Sequence, residues 1–189
     1  MKKYLFIVFL TTISSFGQTI YKRKLAMLGS PFEISVVAND SIKANEYSNL
    51  AINEVKRIEN LISDWIPTTQ ISEINKNAGI QPVKVDEEVF DLVERAIKIS
   101  KLTNGAFDIS YASMDKIWKF DGSMKEMPTP EAIKKSVERI GYQNIILDKE
   151  NKTIFLKLSG MKLGLGGIGQ GYIADKVKEL LQSKGCSSD

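Results

Sequence analysis

The sequence has no histidine and only one cysteine, Cys186, which lies near its C-terminal end. Without histidine, the chain cannot form a Ser-His or Cys-His nucleophile pair or offer an imidazole ligand to a metal ion. With one cysteine it has no internal disulfide, so its stability must come from packing. Any catalysis therefore depends on carboxylates, hydroxyls, lysines, backbone groups or a hard metal ion.

Long runs of one charge are also missing. The 26 Lys and Arg residues and the 23 Asp and Glu residues are interspersed and give a formal net charge of +3. Because a nucleic-acid surface needs clustered basic side chains, this pattern argues against a nucleic-acid partner. The hydrophobic fraction of 43% and the charged fraction of 26% are typical of a folded protein, and the length suits one domain.

The first 17 residues have the layout of a secretory signal peptide. Lys2 and Lys3 precede a short apolar stretch, and Gly17 provides a small residue for cleavage. The stretch is too short to remain as a transmembrane helix. We therefore expect export of a mature domain, residues 18–189, to the periplasm or the outer face of the inner membrane. A buried N-terminal strand is the alternative.

Hydrophobic spacing and capping residues predict a mixture of helices and strands. Helices are predicted at Asn45–Ile62, from Asp86 to Asn104 and Gly105, from Thr129 and Pro130 to Gly141, and at about Tyr172–Ser183. Strands are predicted at Pro31–Ala38, Asn144–Leu147, Thr153–Leu158 and Met161–Leu165. The second and third strands flank a polar turn and should form a hairpin.

Two of these helices have apolar faces that we expect to be buried. The first helix places Tyr47, Ala51, Val55, Ile58 and Ile62 on one side, and the third turns Ile133, Val137 and Ile140 inward. Helices and antiparallel strands do not alternate regularly along the chain. The sequence therefore predicts one α+β domain rather than a doubly wound sheet.

A glycine cluster, Gly-Leu-Gly-Gly-Ile-Gly-Gln-Gly-Tyr at 164–172, is predicted to be a loop between a strand and a helix. Such a junction brings backbone close to a ligand and turns N–H groups toward an anion, which favours a phosphate-bearing ligand. Gly164, Gly166 and Gly169 fit the spacing G-x-G-x-x-G, but a dinucleotide-binding motif belongs near the start of a βαβ array. The alternative is a glycine-rich turn that only allows close packing.

Several segments carry signatures that occur in one order along the chain: Leu28-Gly29-Ser30, Ser63-Asp64-Trp65-Ile66-Pro67, Ser72 to Asn75, Gly105-Ala106-Phe107-Asp108, Ile117 to Phe120, and Gly166 to Asp175. In this combination the sequence resembles the ApbE family, the FAD:protein FMN transferases. The resemblance implies an ApbE-like, T-fold-like domain of mixed helices and antiparallel sheet. It also implies that the family's domain continues beyond residue 189.

The resemblance implies that FAD lies across these segments. It places flavin contacts on Leu28, Trp65, Ala106, Phe107, Asp108, Gly164 and Gln170. Trp65 has a flat apolar face suited to a ring system, with a core tryptophan as the alternative. Asp108 has acceptor oxygens for a ligand, with a structural cap as the alternative. The family's Mg²⁺ takes a backbone carbonyl that falls on Gly167, and an oxygen ligand suits this ion.

The implied reaction is magnesium-dependent transfer of FMN from FAD to a Thr or Ser hydroxyl of an acceptor protein in the cell envelope, with release of AMP. Three alternatives stay open: a flavin-binding protein without transfer activity, an inactive truncated fragment, and an FAD hydrolase that yields FMN and AMP. Leu28, Gly164 and Gln170 depart from the Met, Asp and Lys common in the family. We expect these 189 residues to bind FAD weakly and without magnesium, and to transfer little.

Overall fold

The computed structural model describes residues 19–186, and the predicted signal peptide at residues 1–17 lies outside this range. The chain divides into two compact units, one up to Ile52 and one from Asn53 onward. Among the described residues, no helix is long and apolar enough to cross a membrane.

A β-hairpin forms much of the first unit. Strands β1 (Thr19–Met27) and β2 (Ser30–Ala38) pair antiparallel in a two-stranded sheet. Their two-residue turn, Leu28 and Gly29, has φ values of 55° and 70°, as in a type I′ turn, whose twist matches that of the strands. The structure confirms the predicted strand at β2. β1 was not predicted, because its run of basic residues interrupts the alternation of apolar side chains.

Helix α1 (Ser41–Ile62) follows the hairpin and contains the boundary between the two units. It begins before the predicted Asn45, since the Asp40 carboxylate accepts a hydrogen bond of 2.8 Å from the Lys43 backbone N–H and caps the first turn. Its predicted apolar face is confirmed, because all of these side chains are buried: Tyr47, Ala51, Val55, Ile58 and Ile62.

The second unit contains a three-stranded antiparallel sheet in the order β3-β5-β4. The strands are β3 (Val83–Lys84), β4 (Ile145–Asp148) and β5 (Thr153–Leu156). The predicted hairpin is confirmed in β4 and β5, where Asp148 pairs with Thr153 across the turn. Helices together with antiparallel strands confirm the predicted α+β class.

The remaining elements of the second unit are helical: α2 (Gln70–Lys76), α3 (Glu87–Leu102), a 3-10 helix (Ile109–Ser113), α4 (Pro130–Ser136), a 3-10 turn (Tyr142–Asn144) and α5 (Gly166–Ser183). α3 confirms its predicted start after Asp86 and its end before Asn104 and Gly105. α4 confirms its Thr129 cap, because the side chain accepts a hydrogen bond of 3.2 Å from the Ala132 N–H.

The predicted length and inward face of α4 are wrong. The helix ends at Ser136 rather than continuing to Gly141. Ile133 and Val137 are 37% and 40% exposed, and Ser136 is the buried residue of this helix. The apolar spacing therefore reflects a short surface helix followed by a turn, not a packed helix of three turns.

Two predictions around the glycine cluster are also wrong. Residues 161–165 do not pair with a strand among the described residues, although Met161, Leu163 and Leu165 are buried. The predicted loop is helical, because α5 begins at Gly166 rather than at Tyr172.

Candidate functional site

A cavity of about 380 Å³ lies in the second unit, and we take it as the candidate site. Its walls come from the segment after α3, from the 3-10 helix that follows, and from the chain around the start of α5. They are formed by Gly105, Ala106, Phe107, Asp108, Ile109, Tyr111, Ile140, Gly164 and Gly167. The structure thus brings together five of the predicted residues: Ala106, Phe107, Asp108, Gly164 and Gly167.

The first wall depends on a sharp reversal at the end of α3. Asn104 and Gly105 have φ values of 50° and 83°, and the Gly105 N–H donates a hydrogen bond of 2.8 Å to the Ser100 carbonyl. This left-handed ending is typical of helix C-termini. It directs the following residues, Ala106 and Phe107, into the wall of the cavity.

Asp108 organises the next turn of the chain. One carboxylate oxygen accepts hydrogen bonds from the backbone N–H and the hydroxyl of Ser110, at 2.8 and 2.6 Å. The other oxygen accepts from the Tyr142 N–H at 2.8 Å, while the Ser110 hydroxyl accepts from the Gly141 N–H at 2.8 Å. Asp108 therefore caps the 3-10 helix and fixes the turn beside Ile140, as the structural alternative predicted.

The glycine side of the cavity is closely packed. A Cβ atom at Gly164 would lie 3.0 Å from the Ala112 Cβ and 3.2 Å from the Tyr111 hydroxyl oxygen. At Gly167 it would lie 3.2 Å from an edge carbon of the Phe107 ring. Such distances are shorter than normal van der Waals contact, so a larger residue at either position would require its neighbours to shift by a few tenths of an ångström.

The buried segment that leads to Gly164 is held by side chains instead of a neighbouring strand. The Asn75 amide accepts a hydrogen bond from the Leu163 N–H at 2.7 Å and donates one to the Leu163 carbonyl at 3.0 Å. The Ser113 hydroxyl makes the same pair of bonds with Lys162, at 2.7 and 3.0 Å. Asn75 and Ser113 thus satisfy the backbone groups that a strand would otherwise bind.

The start of α5 offers unpaired donors beside this wall. The Ile168 N–H donates to the Leu165 carbonyl at 3.1 Å, which leaves the Gly166 and Gly167 N–H groups without an intrahelical acceptor, and no side chain among the described residues caps α5. Gly166 and Gly167 are exposed, and the first turn contains no acidic residue. This arrangement favours an anionic ligand, because the helix dipole places partial positive charge at the same end.

Three predicted flavin contacts lie outside the cavity wall. Trp65 is 79% exposed, so the core-tryptophan alternative is wrong, and the Lys116 Nζ lies 5.4 Å from the centroid of its ring. Gln170 is exposed on α5. Leu28 belongs to the first unit, where it occupies the hairpin turn.

Comparison with known proteins identifies the family of this chain. A model described as the ApbE family matches residues 28–188. The chain belongs to the ApbE family. A relative named FAD:protein FMN transferase from Klebsiella pneumoniae (strain 342) is 30% identical over 165 residues, which cover 87% of this chain and 51% of the relative. A second relative of the same name, from Buchnera aphidicola subsp. Schizaphis graminum (strain Sg), is 27% identical over 189 residues, which cover 96% of this chain and 54% of the relative.

Solved structures confirm the ApbE-like fold. The ApbE protein from Thermotoga maritima is 28% identical and has a TM-score of 0.76, covering 87% of this chain and 53% of that one. The flavin transferase ApbE from Vibrio cholerae is 19% identical with a TM-score of 0.73, covering 88% and 55%, and this likeness shows the fold alone. The chain spans about half the length of the curated relatives it matches.

The described residues of this ApbE-family chain do not form a complete metal site. No group of three or more His, Cys, Asp or Glu side chains between residues 19 and 186 is arranged to hold an ion. Gly167, the predicted carbonyl donor, is the second residue of α5. One carbonyl is too few for Mg²⁺, which requires near-octahedral oxygen coordination.

Sequence reasoning missed Tyr111 as a member of the site. Tyr111 is 50% exposed, lines the cavity and lies against Gly164. It follows Asp108 by three residues, and residues three apart share one side of a 3-10 helix. That spacing is the signal that would have found it.

Proposed function

We propose that this chain is part of an FAD:protein FMN transferase, which moves FMN from FAD to a Thr or Ser hydroxyl of an acceptor protein and releases AMP. The names of its relatives support this proposal. The observation that carries it is the cavity, where the Ala106-Phe107-Asp108 segment meets Gly164 and Gly167 across one wall. These are two of the segments to which the family resemblance assigns site residues, with flavin contacts on Ala106, Phe107, Asp108 and Gly164 and a magnesium ligand on Gly167.

The chemistry of the cavity suits part of a flavin dinucleotide. Phe107, Ile109 and Ile140 provide apolar surface for a ring, and Tyr111 provides a hydroxyl. The uncapped start of α5 provides N–H donors for a phosphate. A volume of about 380 Å³ is at the lower end of small-molecule sites, which are about 300–1,000 Å³. We assign one half of FAD to this cavity.

In the proposed reaction, the acceptor hydroxyl oxygen forms a bond to the phosphorus of the FMN half as the bond from that phosphorus to the AMP oxygen breaks. The hydroxyl proton passes to a base, and AMP leaves. This chain's contribution is positioning, because in-line phosphoryl transfer depends on fixed geometry and on donors aimed at phosphate oxygens.

Magnesium is part of the proposal. When bound, Mg²⁺ would offset the charge that develops on the pyrophosphate. The described residues contain no group of side chains arranged to hold a metal ion, so we assign no step of the reaction to Mg²⁺ bound by these residues. Removal of the ion by EDTA should leave the weak FAD binding of these residues unchanged.

We also propose that residues 18–189 belong to one exported ApbE-like domain that acts in the periplasm or on the outer face of the inner membrane. The signal layout at residues 1–17 supports export. Mass spectrometry of protein from the envelope fraction should find Gln18 as the N-terminus. An intact Met1 in that fraction would contradict the proposal.

The central test is to incubate the purified protein with FAD, Mg²⁺ and a Thr-containing acceptor peptide. Covalent flavin on the peptide, with one AMP released per flavin, would support a transferase. AMP and FMN without covalent flavin would indicate a hydrolase. FAD binding without AMP is the result expected of these 189 residues, and the same result from a chain as long as its relatives would indicate a flavin-binding protein. No binding of FAD at all would overturn the proposal.

A matched pair of variants tests the site itself. Phe107→Ala removes the ring from the cavity wall and should weaken FAD binding. Phe155→Ala removes a similarly half-buried ring from β5, outside the cavity, and should leave FAD affinity unchanged. Equal effects of the two variants would contradict the assignment of the cavity.

A further inference from the structure

The first turns of α5 are built from residues that form helices poorly. Glycine occupies positions 166, 167, 169 and 171 of this helix. Glycine is the weakest helix former apart from proline, because its backbone loses the most conformational freedom. The helical form of this segment must therefore come from contacts with other parts of the chain.

One such contact begins at Tyr172, directly after the last of these glycines. The Tyr172 hydroxyl donates a hydrogen bond of 2.8 Å to the Glu88 carboxylate on α3. Arg57 on α1 donates to both oxygens of the same carboxylate, at 2.7 and 2.9 Å. Arg57 also donates to both oxygens of Glu54, at 2.9 and 2.8 Å. These side chains link the start of α5 to two other helices.

The charges and burial in this network keep Glu88 and Tyr172 in the protonation states that their hydrogen bond requires. Arg57 lowers the pKa of Glu88, so the carboxylate stays ionised and accepts. Burial, together with the hydrogen bond to Glu88, raises the pKa of Tyr172, so its hydroxyl stays a donor. The side chain of Glu88 is only 25% exposed, which limits competition from water.

This network does not form the cavity wall. Arg57, Glu88 and Tyr172 line a different cleft, which shares no lining residue with the candidate site. Of the three residues, Tyr172 lies on α5, the helix whose start forms part of the cavity wall at Gly167. The backbone of α5 carries Gly167, at which an added Cβ atom would lie 3.2 Å from the Phe107 ring, and the donors at the helix start.

We propose that Arg57, Glu88 and Tyr172 are positioning residues that hold the glycine-rich start of α5 in helical form, so that its N–H groups face the pyrophosphate of FAD. This inference rests on the proposed binding of FAD at that helix start. It adds a function for three side chains that touch neither the cavity nor the reacting atoms.

The test compares Tyr172→Phe and Glu88→Gln with Tyr21→Phe, a control on β1 outside the network. We measure the affinities for FAD and for riboflavin, which has no phosphate. The two network variants should weaken FAD binding about three- to tenfold and leave riboflavin binding unchanged, whereas the control should change neither. Equal weakening of both ligands, or unchanged FAD affinity, would overturn the proposal.

A second measurement does not depend on ligand binding. Hydrogen exchange of the amides at residues 168–171 should be faster in Tyr172→Phe than in wild type, while amides of α3 keep their rates. Unchanged exchange at 168–171, or faster exchange spread over the whole second unit, would overturn the positioning role. If wild type binds no FAD, the proposed function fails, and the exchange data alone decide whether the network holds the helix start.

Discussion

Replacing Asn75 with alanine tests how the segment before Gly164 is held in place. The substitution removes two hydrogen bonds, one to the Leu163 N–H and one to the Leu163 carbonyl. Leu163 is fully buried, so its backbone groups lose their partners away from bulk water. We expect the variant to fold and to be measurably less stable.

The magnitude follows from these contacts. A hydrogen bond contributes about 1 kcal/mol net, and a buried group left without a partner costs about 1–3 kcal/mol. Asn75 lies in α2, where alanine improves helix propensity by up to about 0.7 kcal/mol. The free energy of unfolding should therefore fall by about 2 kcal/mol.

Urea denaturation followed by circular dichroism measures this change, and an unaltered slope would show that the unfolded state is unaffected. The control is Asn60→Ala, which makes the same exchange at an exposed position of α1. It should change stability by no more than about 0.5 kcal/mol. A loss below about 0.5 kcal/mol in Asn75→Ala would refute the claim that this side chain replaces a strand.

Further substitutions test packing, charge and flavin contact. A Cβ atom added at Gly171 would have no neighbour within 4 Å, so Gly171→Ala should stabilise the protein by about 0.5–1 kcal/mol. Gly164→Ala should instead destabilise the protein by about 1–3 kcal/mol, because its Cβ atom would crowd neighbouring atoms. Thermal unfolding of the two variants measures both changes. Because the pKa of Glu88 is lowered, its ion pair with Arg57 stabilises the fold at pH values above the ordinary glutamate pKa of about 4.3. This stabilisation is lost as the pH falls through the pKa of Glu88 in the folded state. Acid unfolding of Glu88→Gln should therefore show less pH dependence below pH 4.3, and an identical profile would count against the pair. Trp65→Ala should weaken FAD binding by about 1 kcal/mol without lowering the thermal midpoint, because the ring is exposed, and unchanged affinity would remove Trp65 from the flavin site.

The long helices were predictable from the sequence because their signals are local. α1 repeats apolar residues at helical spacing over several turns, and α3 has acidic residues at its start and the Asn104-Gly105 pair at its end. The β4-β5 hairpin was predictable for the same reason, since its turn and both strands are adjacent in the chain.

The errors occur where partners come from distant parts of the chain. Residues 161–165 have the alternating apolar pattern of a strand, yet Lys162 and Leu163 are bonded by the side chains of Ser113 and Asn75. The start of α5 has the composition of a loop, yet it is helical and packs so close to Ile62 and Phe107 that an added Cβ atom at Gly169 or Gly167 would lie 3.0 or 3.2 Å from them. A pattern within one segment contains no information about such partners.

The candidate site was predictable in part. The Ala106-Phe107-Asp108 segment and the glycines were found through short signatures, and the structure places them around one cavity. The signatures did not show that Asp108 binds backbone groups of its own chain or that Tyr111 completes the wall. The roles of these residues toward FAD stay predictions.

The glycine-rich start of α5 also bears on the order in which this unit folds. Helices with good local propensity can form early, whereas a run of glycines has little tendency to become helical before its neighbours are in place. Its neighbours include residues 62 and 107, and the hydrogen bond of Tyr172 goes to residue 88, all far away in sequence. We therefore expect this turn to form late, after the α3 helix and the β4-β5 hairpin.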